Sequence, residues 1–210
     1  MTSIKKPTIA LLRDRLQHTR PAASPTDVVL PPGSSHWPTA VLEHLTGTLK
    51  PAGVLIPVFD RKSGLTVLLT QRSSALRLHA GQISFPGGSM EEGDADITST
   101  ALRETYEEVG IEPDKVSVLG HLTAMPTVTG FAVTPVVGQV ASKAIVHIDR
   151  SEVEFAFEVP LSYLLDKSNA RATEREVNGQ MIPIMEFQFE RHRIWGATAH
   201  MLVKLRELLV

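Results

Sequence analysis

The chain has no cysteine among its 210 residues, which removes disulfides, thiolate metal sites and cysteine nucleophiles from consideration. It also has little net charge, −2 at pH 7, so no general electrostatic pull toward nucleic acid or an anionic membrane is expected. Its longest apolar runs, such as GVLIPVF at 53–59, fall far short of the ~20 residues that a membrane-spanning helix needs. The N-terminal MTSIKKPTIALLRDRLQ lacks a continuous apolar stretch leading to a small-residue cleavage site, and the default expectation is a cytoplasmic protein. Several chemical signatures are missing as well. Without GxGxxG or GxxxxGK[ST] there is no support for a Rossmann or P-loop nucleotide site, and without HExxH there is none for zinc. The absence of GxSxG disfavours an α/β-hydrolase triad. No internal repeat or low-complexity tract occurs.

What is present is ordinary globular material: 42% hydrophobic and 21% charged residues, enough for one domain with a sizeable core and an N-terminal extension. Residues 8–18 have helical spacing and lead into a Pro/Ser-rich connector, 19–38, followed by a short helix over 39–46. Residues 1–48 are expected to form a helical extension that packs on, or swaps between, copies of a main domain at 49–210. AGVLIPVFD (52–60) and LTVLLTQR (65–72) predict a hairpin about RKSG. A helix is expected over about 96–109, strands over 116–124 and 131–141, and a helix over 151–165 interrupted at Pro160. ATEREV (172–177) and MIPIMEFQFE (181–190) predict a second hairpin, and ATAHMLVKLRELL (197–209) a closing helix. Strands flank helices without regular βαβ alternation, so the expected class is α+β with a mixed sheet.

RETYEEVGI (103–111) stands out. A helix stopped by Gly110 would carry Glu104, Glu107 and Glu108 in its last turns, where the macrodipole disfavours carboxylates by some tenths of a kcal/mol. Glu104 and Glu108 also form a like-charge pair four residues apart. On a wheel of about 100° per residue, Ala101, Leu102, Thr105, Tyr106 and Val109 fall on one side; Arg103, Glu104, Glu107 and Glu108 fall on the other. The plain alternative is a solvated charged face. Against it, a single basic residue shares that face, and FPGG (85–88) precedes the helix as a turn able to bring backbone carbonyls to the same place. Mg²⁺ takes one or two carboxylates together with waters and substrate phosphates, and a bound cation would turn the repulsion into attraction.

GSMEEGDADITSTALRETYEEVGI (88–111) resembles the Nudix box, the signature of hydrolases acting on a nucleoside diphosphate linked to another moiety. Its terminal half is intact as Arg103, Glu104, Glu107, Glu108, Gly110 and Ile111. Where the pattern has its first Glu stands Asp94, one residue further from Arg103 than usual, and Thr105 takes an aliphatic position. These departures weaken any role for Asp94, and the extra residue is expected to lengthen the loop before the helix. LLTQRSSALRLHAGQISFPGG (68–88) resembles the stretch preceding the box in Nudix coenzyme A diphosphatases. Every fixed position of that stretch matches, from Leu68 through Arg72, Arg77 and Gly81 to Phe85 and Gly88.

The resemblance implies a Nudix fold, a mixed sheet between helices as an α/β/α sandwich. It also implies Mg²⁺- or Mn²⁺-dependent hydrolysis of coenzyme A to 4′-phosphopantetheine and adenosine 3′,5′-bisphosphate. It assigns metal ligation to Glu104, Glu108 and Glu107, with the carbonyl of Gly88 as a further ligand. Arg103 would orient the carboxylates. The general base would be a helix glutamate, Glu104 foremost, or a glutamate on a later loop, Glu152 or Glu154. Arg72 and Arg77 are candidates for substrate phosphates, or for bracing the loop 73–84 against the acidic helix. His79 could meet a phosphate, Phe85 could stack on adenine or belong to the core, and Gly81 stands with the substrate-binding residues, most simply by serving backbone geometry. Another nucleoside diphosphate derivative, such as ADP-ribose or a dinucleotide, and a catalytically silent nucleotide-sensing domain are the alternatives. A small-molecule substrate is the expected partner, with no nucleic acid or membrane, and a homodimer is a reasonable assembly.

Overall fold

A computed structural model describes residues 6–31, 33–74, 80–177 and 179–209. In chain order its elements are α1 (Ile9–Leu16), α2 (Thr39–Thr46), β1 (Lys50–Arg61), β2 (Gly64–Arg72), β3 (Ile83–Ser84), β4 (Gly87–Ser89) and α3 (Ile97–Val109). There follow β5 (Val116–His121), β6 (Met125–Pro126), β7 (Phe131–Val140), β8 (Val153–Pro160) and α4 (Leu161–Leu165). The chain ends with β9 (Ala170–Val177), β10 (Gln180–Phe189), β11 (His192–Trp195) and α5 (Gly196–Leu209).

The main sheet runs β3-β2-β1-β7-β5, with β4 added to β1, β6 to β7 and β8 to β2; β11-β10-β9 form a smaller sheet. Only β1 and β7 are parallel, so the sheet is mixed. Alternation along β1 divides the interior. Ile56 and Val58 point into the large core with Leu12 and Leu16 of α1, Leu161 and Leu164 of α4, and Leu202 and Leu205 of α5. Leu55 packs on the other face against Ala101 of α3, and Phe59 against Val109. The sheet therefore lies between α3 on one side and α1, α4 and α5 on the other, the mixed α+β sandwich that the sequence implies. Among the described residues no helix is long and apolar enough to cross a membrane.

One predicted element is wrong. Residues 153–160 form strand β8, antiparallel to β2, and the helix is confined to Leu161–Leu165. Val153, Phe155, Phe157 and Val159 recur at every second residue, which is strand periodicity. The LSYLL run after Pro160 drew the helical reading backward across the proline.

A candidate metal and phosphate site on the acidic helix

α3 begins on Asp96, whose carboxylate accepts from the Ser99 N–H at 2.8 Å while the Ser99 hydroxyl engages the Asp96 backbone. It ends on Gly110 in the left-handed region at φ 70°. The helix packs on β1 and β4. β4 requires glycine twice, once against β1 and once against α3. Gly87 has φ 152°, and a Cβ there would run into the Gly53 carbonyl and Val54; at Gly88 it would fall on the Glu104 carboxylate. The FPGG turn thus lets backbone approach the acidic helix more closely than any side chain would permit.

Arg103 binds the cluster together. Its Nε and Nη2 donate to the two carboxylate oxygens of Asp94 at 3.0 and 3.1 Å, Nη1 to Glu104 and Glu107 at 2.9 Å each, and Nη2 also to the Ser89 carbonyl at 3.1 Å. Asp94 further accepts from the Thr100 hydroxyl and the Glu91 N–H, both at 2.9 Å. Hydrogen bonds from Arg103 hold its carboxyl well below the usual range. Asp94, whose role its departure from the box pattern weakened, is thus the main anchor of Arg103. The shorter side chain and the extra loop residue occur together, and the carboxylate still reaches the guanidinium. Thr100 and Arg103 aligned toward the helix N-terminus were the sequence signal for it.

The wheel also needs two corrections. Tyr106, assigned to the buried side, is 53% exposed, and Glu108, assigned to the charged side, is 2% exposed. Both sit at the boundary between faces: Glu108 lies about 20° from Ala101 on the wheel. Glu108 Oε1 accepts from Arg72 Nη1 at 3.3 Å, and the nearby Gly87 backbone N–H favours the charged form of this carboxylate. Its Oε2 is buried with no partner among the described residues, as is Arg72 Nε. Burial pushes the Glu108 carboxyl up to about 8, with Arg72 opposing and Glu152 and Glu104 adding to the rise. Burial also raises Glu104, against Arg103.

Glu104, Glu108, Glu107, Gly88, Arg103 and Arg72 are therefore brought together. Glu152 belongs with them, since its charge acts on both Glu104 and Glu108. Glu154 instead accepts from Gln71 Nε2 at 3.4 Å. Phe85 is a correction: at 3% exposure it lies in the main core, with no face free for a base. Gly81, at φ 69°, closes the turn after β2, its N–H donating to the Arg72 carbonyl at 3.1 Å while the Arg72 N–H donates to Gln82. Its part in the structure is backbone geometry. Arg77 and His79 lie outside the described residues.

Among the described residues no three His, Asp or Glu side chains form a ready-made metal cage, because the arginines draw the carboxylates toward themselves. The donor set nevertheless fits a hard divalent cation. Such an ion needs only one or two carboxylates from the protein, and here a buried carboxylate oxygen lacks a partner beside a second carboxylate pressed against the backbone of β4.

Comparison with known proteins agrees in kind. The family model described as the NUDIX domain matches residues 49–202. The uncharacterized Nudix hydrolase NudL of Citrobacter koseri is 43% identical over 155 residues, covering 73% of this chain and 80% of its own length. That of Photorhabdus laumondii is 39% identical over 165 residues, covering 79% and 88%. Among solved structures, a MutT/nudix family protein from Enterococcus faecalis aligns with a TM-score of 0.48 at 16% identity, over 76% of this chain and 61% of that one.

Proposed function

The chain belongs to the Nudix hydrolase family, enzymes that act on nucleoside diphosphate derivatives with the help of divalent cations, and from that premise we propose that it hydrolyses the diphosphate of coenzyme A and its derivatives. The observation that carries this reading is the Arg72–Glu108 ion pair. It joins the 68–88 stretch, whose residues resemble coenzyme A diphosphatases, to the carboxylates of the acidic helix.

In the proposed reaction water adds across the anhydride. Its oxygen forms the new P–O bond, the bridging P–O bond breaks with its electron pair leaving on the released phosphate, and 4′-phosphopantetheine and adenosine 3′,5′-bisphosphate result. Phosphoryl transfer of this kind rests on positioning and charge neutralisation more than on covalent chemistry. Glu104, Glu108 and Glu107, with the Gly88 carbonyl, would hold Mg²⁺ or Mn²⁺. When bound, such an ion supplies charge neutralisation at the phosphoryl oxygens and a lowered pKa for coordinated water. Arg103, fixed by Asp94, keeps Glu104 and Glu107 aligned. Arg72 keeps one guanidinium edge on Glu108, and the rest of its guanidinium is the candidate for a substrate phosphate. Glu104 would take the proton from water, and Glu152, whose charge acts on Glu104 and Glu108, is the alternative base; Glu154 is engaged with Gln71.

Incubating the full chain with Mg²⁺ and coenzyme A, acetyl-CoA, oxidised CoA, ADP-ribose or NADH, with products identified by mass, tests this. Adenosine 3′,5′-bisphosphate is expected from coenzyme A and should vanish in Glu104→Gln. Turnover confined to ADP-ribose or the dinucleotide would overturn the coenzyme A reading. No turnover of any of them would leave the nucleotide-sensing alternative.

A further inference from the structure

The last turn of an α-helix leaves carbonyls without partners inside the helix, and at the end of α3 two of them belong to Glu108 and Val109. Both are taken by the segment that leaves β7. The Val109 carbonyl accepts from the His147 N–H and the Glu108 carbonyl from the Asp149 N–H, each at 2.9 Å. Alternate residues of this segment, Ala144, Val146 and Ile148, pack on the cluster that holds Phe59 and Val109. Gly110 admits it, since a Cβ there would stand 3.0 Å from the His147 carbonyl oxygen.

The segment closes in a turn built on Asp149. Its carboxylate accepts from the Ser151 N–H and the Ser151 hydroxyl, both at 2.8 Å, the local bonding that lets an aspartate stand in for a backbone turn. Its carbonyl accepts from the N–H groups of Glu152 at 3.1 Å and Val153 at 2.8 Å. On the far side, the Glu152 carbonyl accepts from the Ser73 N–H at 2.7 Å, and Val153 lies opposite Arg72 in the β2–β8 ladder. The turn is therefore tied to α3 through the backbone of Glu108 and to β2 beside Arg72. These are the two partners of the ion pair that joins the halves of the site.

Between those two anchors stands Glu152. It is half-buried, and its charge acts on both Glu104 and Glu108. Among the described residues no ion pair holds its side chain. Like charges repel, so on a free loop this carboxylate would turn away from the other two and into solvent. A backbone fixed at both ends narrows that freedom. The shortest run of hydrogen bonds from Glu108 to Glu152 passes through Asp149, which donates to one backbone and accepts from the other. Asp149 itself is exposed and engaged with Ser151, outside the carboxylate cluster.

We propose that Asp149 is a positioning residue, whose turn holds Glu152 beside Glu104 and Glu108 and which supports turnover through Glu152. This rests on the reading above, in which those carboxylates serve a divalent cation and the hydrolysis of coenzyme A. Groups that orient the carboxylates of a metal site from outside are worth about 10–100-fold in affinity or activity. A turn that only started β8 would have no such coupling to Glu152.

The test is a double-mutant cycle on the full chain with Mg²⁺ and coenzyme A, using Asp149→Ala, Glu152→Gln and the two combined. Asp149→Asn is the control: it has the charge of the alanine variant but keeps an oxygen for the Ser151 N–H. Asp149→Ala and Glu152→Gln are each expected to lower kcat by about tenfold or more, with KM little changed. The combined variant should be no slower than Glu152→Gln alone, because residues that act through one another are not additive. Asp149→Asn should stay near wild type. Losses that multiply in the combined variant would overturn the proposal, as would wild-type kcat in Asp149→Ala or in Glu152→Gln. Melting curves show whether each variant is folded. If Asp149→Ala is not, Ser151→Ala takes its place in the cycle, with a smaller loss that must disappear in the Glu152→Gln background. If coenzyme A is not turned over at all, the functional reading fails, and Mn²⁺ affinity measured through the same cycle still decides the positioning.

Discussion

Two arginine–carboxylate clusters lie on the α3 side of the main sheet, and they are built to opposite rules. Arg61 pairs with Glu158, which also accepts from the Thr66 hydroxyl. Burial pushes the Glu158 carboxyl up, but hydrogen bonds from Arg61 and Thr66 outweigh it and leave its pKa below the usual value. Around α3, Arg103 and Arg72 face Asp94, Glu104, Glu107 and Glu108, with Glu152 nearby. Glu108 touches an arginine as Glu158 does, yet its pKa goes up to about 8. One cation per carboxylate satisfies the first cluster. The second has more negative charge than its arginines can offset, and a surplus of buried oxygen ligands is what a hard cation requires.

The largest effect should come from the surplus itself. Glu104→Gln is expected to cut kcat by about 10²–10⁴-fold with little change in melting temperature, whereas Glu158→Gln should leave turnover near wild type; a steady-state assay of the two variants side by side decides it. Gly88→Ala comes next, because the new Cβ enters the space of the Glu104 carboxylate. It should lose most activity and about 1–3 kcal/mol of stability, measured by urea unfolding; a fully active alanine variant would show that the close approach of β4 is not needed.

The clusters should also separate by pH. In the folded, metal-free protein Glu108 holds its proton up to about 8, against an ordinary 4.5. Between those values the folded state binds more protons than the unfolded one, so this group's contribution to stability falls as pH rises. Melting in EDTA from pH 5 to 8 should show that decline, Glu108→Gln should flatten it, and Mg²⁺ should offset it at the upper end. Asp94 has the opposite sign: its lowered pKa gives stability that is present above the ordinary value of 3.8 and lost as pH falls below it. Asp94→Asn should cost about 1–3 kcal/mol at neutral pH and remove that acid-side dependence, while turnover drops as Arg103 loses its anchor. The smallest effect belongs to the balanced cluster, where Glu158→Gln should cost about 1 kcal/mol.

How much of this was legible in the sequence followed local periodicity. The acidic helix, its glycine stop and the two hairpins announce themselves by spacing and turn residues. The convergence of Glu104, Gly88 and Arg103 follows from one short segment folding on itself. β8 was missed because a helical run directly beyond Pro160 obscured four residues in strand alternation. Phe85 was ambiguous because a phenylalanine before a Pro-Gly-Gly turn reads equally as core or as rim, and only its neighbours across the sheet decide. Tyr106 and Glu108 sit at the edge of their helical faces, where the wheel alone does not fix burial. Asp94 was discounted because a fixed spacing was expected, while the loop can vary so long as a carboxylate reaches Arg103. Asp149 meets the last turn of α3 only after three intervening strands, a contact between distant segments that no local pattern reports.

The central claim, that the carboxylate surplus on α3 is a cation site, is tested most directly by titrating the full-length protein with Mn²⁺ at pH 8 and following free ion by electron paramagnetic resonance. Wild type and Glu158→Gln should bind Mn²⁺ alike, and Glu108→Gln should lose at least tenfold in affinity. Equal binding by wild type and Glu108→Gln would contradict the account.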